Sequence, residues 1–81
     1  MAPEITIRQA TSADAFTLHR LAALDDRPAL HGEVLVAEQA GEVRAAVSLD
    51  DGRAIANPFA PTAELVEILR MHRSYAETVA A

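Results

Sequence analysis

The chain has 81 residues, a formal net charge of −5 and no cysteine. That length makes one small domain, 1–81, and the missing cysteines exclude disulfides, zinc-thiolate sites and a thiol nucleophile. The seven basic residues are all arginine, scattered at Arg8, Arg20, Arg27, Arg44, Arg53, Arg70 and Arg73, so the chain lacks the basic stripe that nucleic acid or an anionic membrane demands.

From the N-terminus, "EITIRQA" alternates, with Ile5 and Ile7 on one face and Thr6 and Arg8 on the other, which predicts a half-buried strand. Thr11 is a good helix N-cap, and Asp14 three residues on completes an acidic capping-box pattern. Ala15, Leu18, Leu21, Ala22 and Leu24 then recur at helical spacing, until Asp25, Asp26 and Pro28 end the pattern. "RPALHG" reads as a connector. In "EVLVAEQ", Val34 and Val36 oppose Leu35 and Ala37, so both faces are apolar and the strand is expected to be central. Ala40-Gly41 is a two-residue hairpin signal, "EVRAAVSL" the returning strand and Asp-Gly in "DDG" the next turn. "RAIAN" is a short fourth strand, and Pro58 and Pro61 punctuate the loop after it. Thr62 is the expected cap of a last helix, with Glu64 in its first turn favourable to the dipole. Leu65, Ile68, Leu69, His72, Tyr75, Ala76 and Val79 mark one face of that helix, widened by Val66 and Met71.

The expected fold is α+β, ordered β-α-β-β-β-α, with a small, mainly antiparallel sheet and two helices. Apolar residues make up 51% of the chain, but with only two Phe, one Tyr and no Trp the core is thin and aliphatic. A chain this short buries only roughly 60% of its unfolded surface, so self-association is a ready source of stability. The N-terminus has no signal-peptide pattern, and no run approaches the ~18 apolar residues of a membrane span. The expected location is the cytoplasm.

The stretch "ITIRQATSADAFTLHRLAALDD" resembles the opening of a GNAT-family N-acetyltransferase, which commonly starts "IxIRxAxxxDaxxLxxL". "VLVAEQAGEVRAAVSL" resembles that family's second and third strands, with Val34, Val36, Ala37, Glu38, Gly41, Val43 and Ala46 at matching places. "RAIANP" falls where the family's fourth strand belongs. The resemblance spans nearly the whole chain but only the N-terminal half of a full domain of that family.

The resemblance implies an acetyl-CoA site in the loop after the fourth strand, where the family carries Q/R-x-x-G-x-G/A. Glycines there let backbone N–H groups reach the pyrophosphate. The corresponding "NPFAPTAEL" has no glycine. Pro58 and Pro61 each remove a donor, Phe59 adds bulk and Glu64 adds negative charge. The loop therefore reads as a stiff connector, with Phe59 expected to pack as an anchor, and it carries no family cofactor residue. Arg53 is the one nearby cation.

The remaining polar groups carry little chemistry. His19, His31 and His72 lack metal-ligand spacing, and Asp25–Asp26 and Asp50–Asp51 read as turn acids. Ser48 has no nucleophile elbow. Tyr75, at a core-spaced position, is expected to pack or to sit in an interface.

These readings lead to a non-catalytic GNAT-like half-domain that oligomerises, as a dimer by the simplest symmetry, or that binds an unknown protein partner. The expected interface is the last helix, through Leu65, Leu69, His72 and Tyr75, together with an uncovered sheet edge. No catalytic, cofactor or metal residue is assigned. The rival reading is a minimal N-acetyltransferase that binds acyl-CoA and is assembled by dimerisation.

Overall fold

The computed structural model describes residues 4–80, and side chains as far as Ser74. Each expected strand forms: β1 Ile5–Gln9, β2 Val34–Gln39, β3 Glu42–Ser48 and β4 Ala54–Ala56. They make one antiparallel sheet in the order β1-β2-β3-β4, which places β2 inside the sheet as its two apolar faces require. Helix α1 spans Ala15–Leu24 and α2 spans Ala63–Ala80. A single 3₁₀ turn, Ser12–Asp14, precedes α1 where the sequence pattern suggests helix directly after Thr11. The fold class is therefore α+β, with a four-stranded antiparallel sheet and two helices.

Ala40 and Gly41 both take positive φ, 56° and 79°, which is the primed turn that matches strand twist in a two-residue hairpin. Two residue pairs from this turn, the β2–β3 register shifts between Ala37 and Glu38, so that Ala37 faces Ala45 while Glu38 faces Val43. Arg44 is the extra residue of this bulge. At the other end of β3, the connector before β2 is clamped. The Ser48 hydroxyl donates to the His31 carbonyl at 3.2 Å and accepts from the Asp50 N–H at 3.2 Å, while Leu49 N–H donates to the Glu33 carbonyl at 2.8 Å. Gly32, at φ 72°, lies so close to Asp50 that a Cβ would run into its carboxylate.

The two helices cover opposite faces of the sheet. Leu21 and Ala22 of α1 pack with Val34, Val36, Ala46 and Ile55. Leu65 and Leu69 of α2 pack with Ala37, Ala45 and Val47, flanked by Ile5, Ile7, Leu35, Ala54, Ala56 and Val66. The strand period of two separates these sets. The α2 face is rich in alanine, so the sheet supplies little volume there and the two leucines fill the layer. Arg73 fastens the far end of the described part of α2, its Nε donating to the Leu49 carbonyl at 3.2 Å.

Several side chains expected in the core lie outside it. Ala15 and Leu24 of α1 are exposed, as is Met71 of α2. A helix presents only a narrow strip to one sheet face, so the edges of a wide apolar stripe turn to solvent. Phe59 is 82% exposed and is not a packing anchor. Its N–H donates instead to Asn57 Oδ1 at 2.8 Å, an Asx turn that points the ring outward.

Truncating Leu69, fully buried at the centre of the α2 layer, tests this packing. Leu69→Ala is expected to cost about 3 kcal/mol in urea denaturation, and Met71→Ala less than about 0.5 kcal/mol. Equal effects would contradict the placement of α2.

Candidate functional site

The polar residues fall into three places. The first joins β1 to the start of α1. Arg8 lies on the α1 face of the sheet and reaches two carboxylates: Nη1 and Nη2 donate to Asp14 at 2.8 and 2.9 Å, and Nε pairs with Glu38. Asp14 Oδ2 also accepts the Thr11 N–H at 2.7 Å, the capping-box contact expected from the spacing. Asp14 is buried. Its hydrogen bonds from Arg8 and then Thr11 hold its carboxyl well below the usual range, and the same pairings with Asp14 and Glu38 raise the Arg8 pKa further. A carboxylate this committed and this stabilised as the anion is poorly suited to carry a proton near neutral pH. The triad is a structural staple between sheet and helix.

The second place is the turn after β3. Ser48 is buried and both of its hydroxyl roles are used by backbone partners. Asp51 is held below the usual carboxylate range chiefly by the Arg53 N–H, donated to Oδ1 at 2.9 Å. The Asp51 carboxylate caps a turn, as its sequence context suggests.

The third is a groove of about 390 Å³ beside β4, lined by Asp25, Arg27, Arg53, Ala54, Ile55, Ala56, Val66 and Arg70. Its floor is the open edge of the sheet. Ser48 N–H donates to the Arg53 carbonyl at 2.8 Å, and Asn57 N–H to the Arg44 carbonyl at 2.9 Å. In an antiparallel ladder the intervening residues alternate, so Ile55 bonds β3 while the backbone groups of Ala54 and Ala56 point into the groove. One of them has a partner: Ala56 N–H donates to Asp25 Oδ2 at 3.1 Å. Asp25, expected only to end α1, thus reaches the edge strand.

The opposite edge has the same character. Ala10 N–H donates to the Val34 carbonyl at 2.8 Å. With Arg8 opposite Val36 and Thr6 opposite Glu38, the backbone groups of Ile5, Ile7 and Gln9 point away from the sheet.

Among the described side chains, Leu65, Leu69 and His72 do not share one surface. Leu65 and Leu69 are 2% and 0% exposed, inside the chain's own core, and so offer a partner no surface. His72 is exposed, its Nδ1 3.0 Å from the Ile68 carbonyl. The side chain of Tyr75 lies outside the described residues. His19 and His31 are also exposed, and among the described residues no three His, Cys, Asp or Glu side chains gather into a metal-binding group. Among the described residues, no helix is long and apolar enough to cross a membrane. The sequence pattern gave no sign of the exposed Phe16 on α1 or of the arginine-lined groove. The groove joins residues from 25 to 70, a grouping that only the fold creates.

No family model, curated protein or solved structure matches the chain.

The Asp14 staple has a pH signature. A depressed folded pKa contributes stability that is complete above the unfolded value of about 3.9 and is lost as the pH falls from there toward the folded value. Asp14→Asn is expected to cost about 1–2 kcal/mol at pH 7 and to flatten the loss of stability below about pH 4, read from urea melts across that range. An unchanged acid limb would contradict the role of Asp14.

Proposed function

We propose that the chain is a non-catalytic, GNAT-like half-domain that works as an oligomerisation or protein-interaction module through its sheet edges. One observation carries the reading. Both faces of the sheet are covered by the chain's own helices, whereas both edges, β1 and β4, present backbone groups without strand partners among the described residues. Open edges are the template on which another chain adds a strand. The loop "NPFAPTAEL" supports the same reading, because it keeps the strand-to-helix connection without the glycines a phosphate loop needs. No resident cofactor is part of the proposal.

The β1 edge suits self-association. Pairing two antiparallel copies about Ile7 opposes Ile7 to itself and Ile5 to Gln9, which extends the α2-side apolar layer through half-buried Ile5 and Ile7. The Arg8 side chain is on the opposite face, tied down by Asp14 and Glu38.

Light scattering from micromolar to millimolar protein is expected to report a dimer. Gln9→Pro removes an outward N–H and no ladder bond, and is expected to leave the fold intact and weaken the dimer at least about tenfold. A strict monomer at high concentration would sink the self-association.

A second reading, acyl-CoA binding by an assembled dimer, is favoured by Arg27, Arg53 and Arg70 around the β4 groove. Calorimetry with CoA and acetyl-CoA decides it. Micromolar affinity, lost in Arg70→Glu, would replace the interaction-module reading.

A further inference from the structure

The groove beside β4 differs in charge from the rest of the chain. Its lining holds three arginines and one aspartate, in a protein whose net charge is −5. Asp25 accepts the Ala56 N–H at 3.1 Å and pairs with Arg27 Nε at 3.1 Å, so it offsets one of the three arginine charges and the lining stays net positive. Arg53 donates to the Ala29 carbonyl at 3.0 Å and lies 3.5 Å from Asp51, which fixes its position at the start of β4. The Arg70 side chain is exposed on α2 and has no ion pair or hydrogen bond among the described residues.

The shape of the groove matches a strand. Its floor is Ala54–Ala56, one wall is the end of α1 with Asp25 and Arg27, and the other is α2 with Val66 and Arg70. Ala54 and Ala56 are small, so their side chains leave the edge accessible. The Ala54 N–H and C=O and the Ala56 C=O point outward. Asp25 holds the one further outward N–H, which fixes where added pairing stops.

The geometry points to an extended, acidic segment of a partner protein that docks in this groove as a fifth strand on β4. This inference rests on the interaction-module reading and names its partner. Backbone pairing at Ala54 supplies the frame, and alternate side chains of the incoming strand reach the two walls. On one side they meet Arg27, and on the other Val66 and Arg70. Carboxylates on the segment pair with the arginines while an apolar residue covers Val66. A second copy of this chain is the wrong occupant, because pairing two β4 edges would set one arginine triad against another.

The test uses the full chain and a fluorescent, acetylated peptide that alternates glutamate and valine, with a lysine–valine peptide as control. Fluorescence anisotropy is expected to show binding of the acidic peptide, weakened by added salt, and none of the basic one. Arg70→Glu and Arg27→Glu, both exposed and checked for folding by circular dichroism, are each expected to weaken it about tenfold. Amide shifts in nuclear magnetic resonance are expected at Ala54, not at Ile5, Ile7 or Gln9. Equal binding of both peptides, unchanged affinity in both variants, shifts confined to β1, or binding of CoA but not of the acidic peptide would each overturn the inference. A dimer that ignores the acidic peptide would overturn this inference alone. A monomer that ignores it would overturn the module reading as well.

Discussion

A sheet of four strands that is apolar on both faces has to be covered twice, and this chain has only two helices with which to do it. That constraint governs the rest of the structure. Helix α1 closes one face over Val34, Val36, Ala46 and Ile55, and α2 closes the other over Ala37, Ala45 and Val47. Nothing among the described residues is then left to pair with the outer edge of β1, and one carboxylate, Asp25, meets the outer edge of β4. Burial on the faces leaves the edges as the surfaces where another chain could gain most from contact.

Two arginines hold the helices in register with the sheet, one through ion pairs and one through a backbone carbonyl. Arg8 ties β1 and β2 to the turn that starts α1, through Asp14 and Glu38. Arg73 ties α2 to the turn after β3 through the Leu49 carbonyl. Both use the long, forked arginine side chain to bridge separate elements around the thin, alanine-rich core. This accounts for how several of the scattered arginines are spent. Arg70 stands apart, on the wall of the β4 groove.

Much of the fold was legible because it depends on local rules. Ile5 and Ile7 alternate with Thr6 and Arg8, Ala40-Gly41 suits a primed turn, and Val34 to Ala37 is apolar on both sides. Each of these is decided within a few neighbouring residues. The site was less legible because it depends on distances across the fold. An apolar stripe shows that a helix is buried, but not how much sheet lies beneath it, so Leu65 and Leu69 read as interface when they are core. Phe59 read as an anchor because large apolar residues usually are, yet the Asx turn at Asn57 turns it outward. The Asp25–Ala56 contact and the arginine groove join residues far apart in sequence, and no local pattern announces them.

The central claim is that the sheet edges, and not the exposed side of α2, are the working surfaces. Site-resolved amide hydrogen exchange in dilute and in concentrated protein tests it most directly. In dilute protein, Thr6 and Arg8 are expected to be protected, and Ile5, Ile7 and Gln9 to exchange freely. Concentration is expected to protect those three outward amides and to leave α2 unchanged. Added protection along α2 near Met71 and His72, with β1 unaltered, would contradict the account.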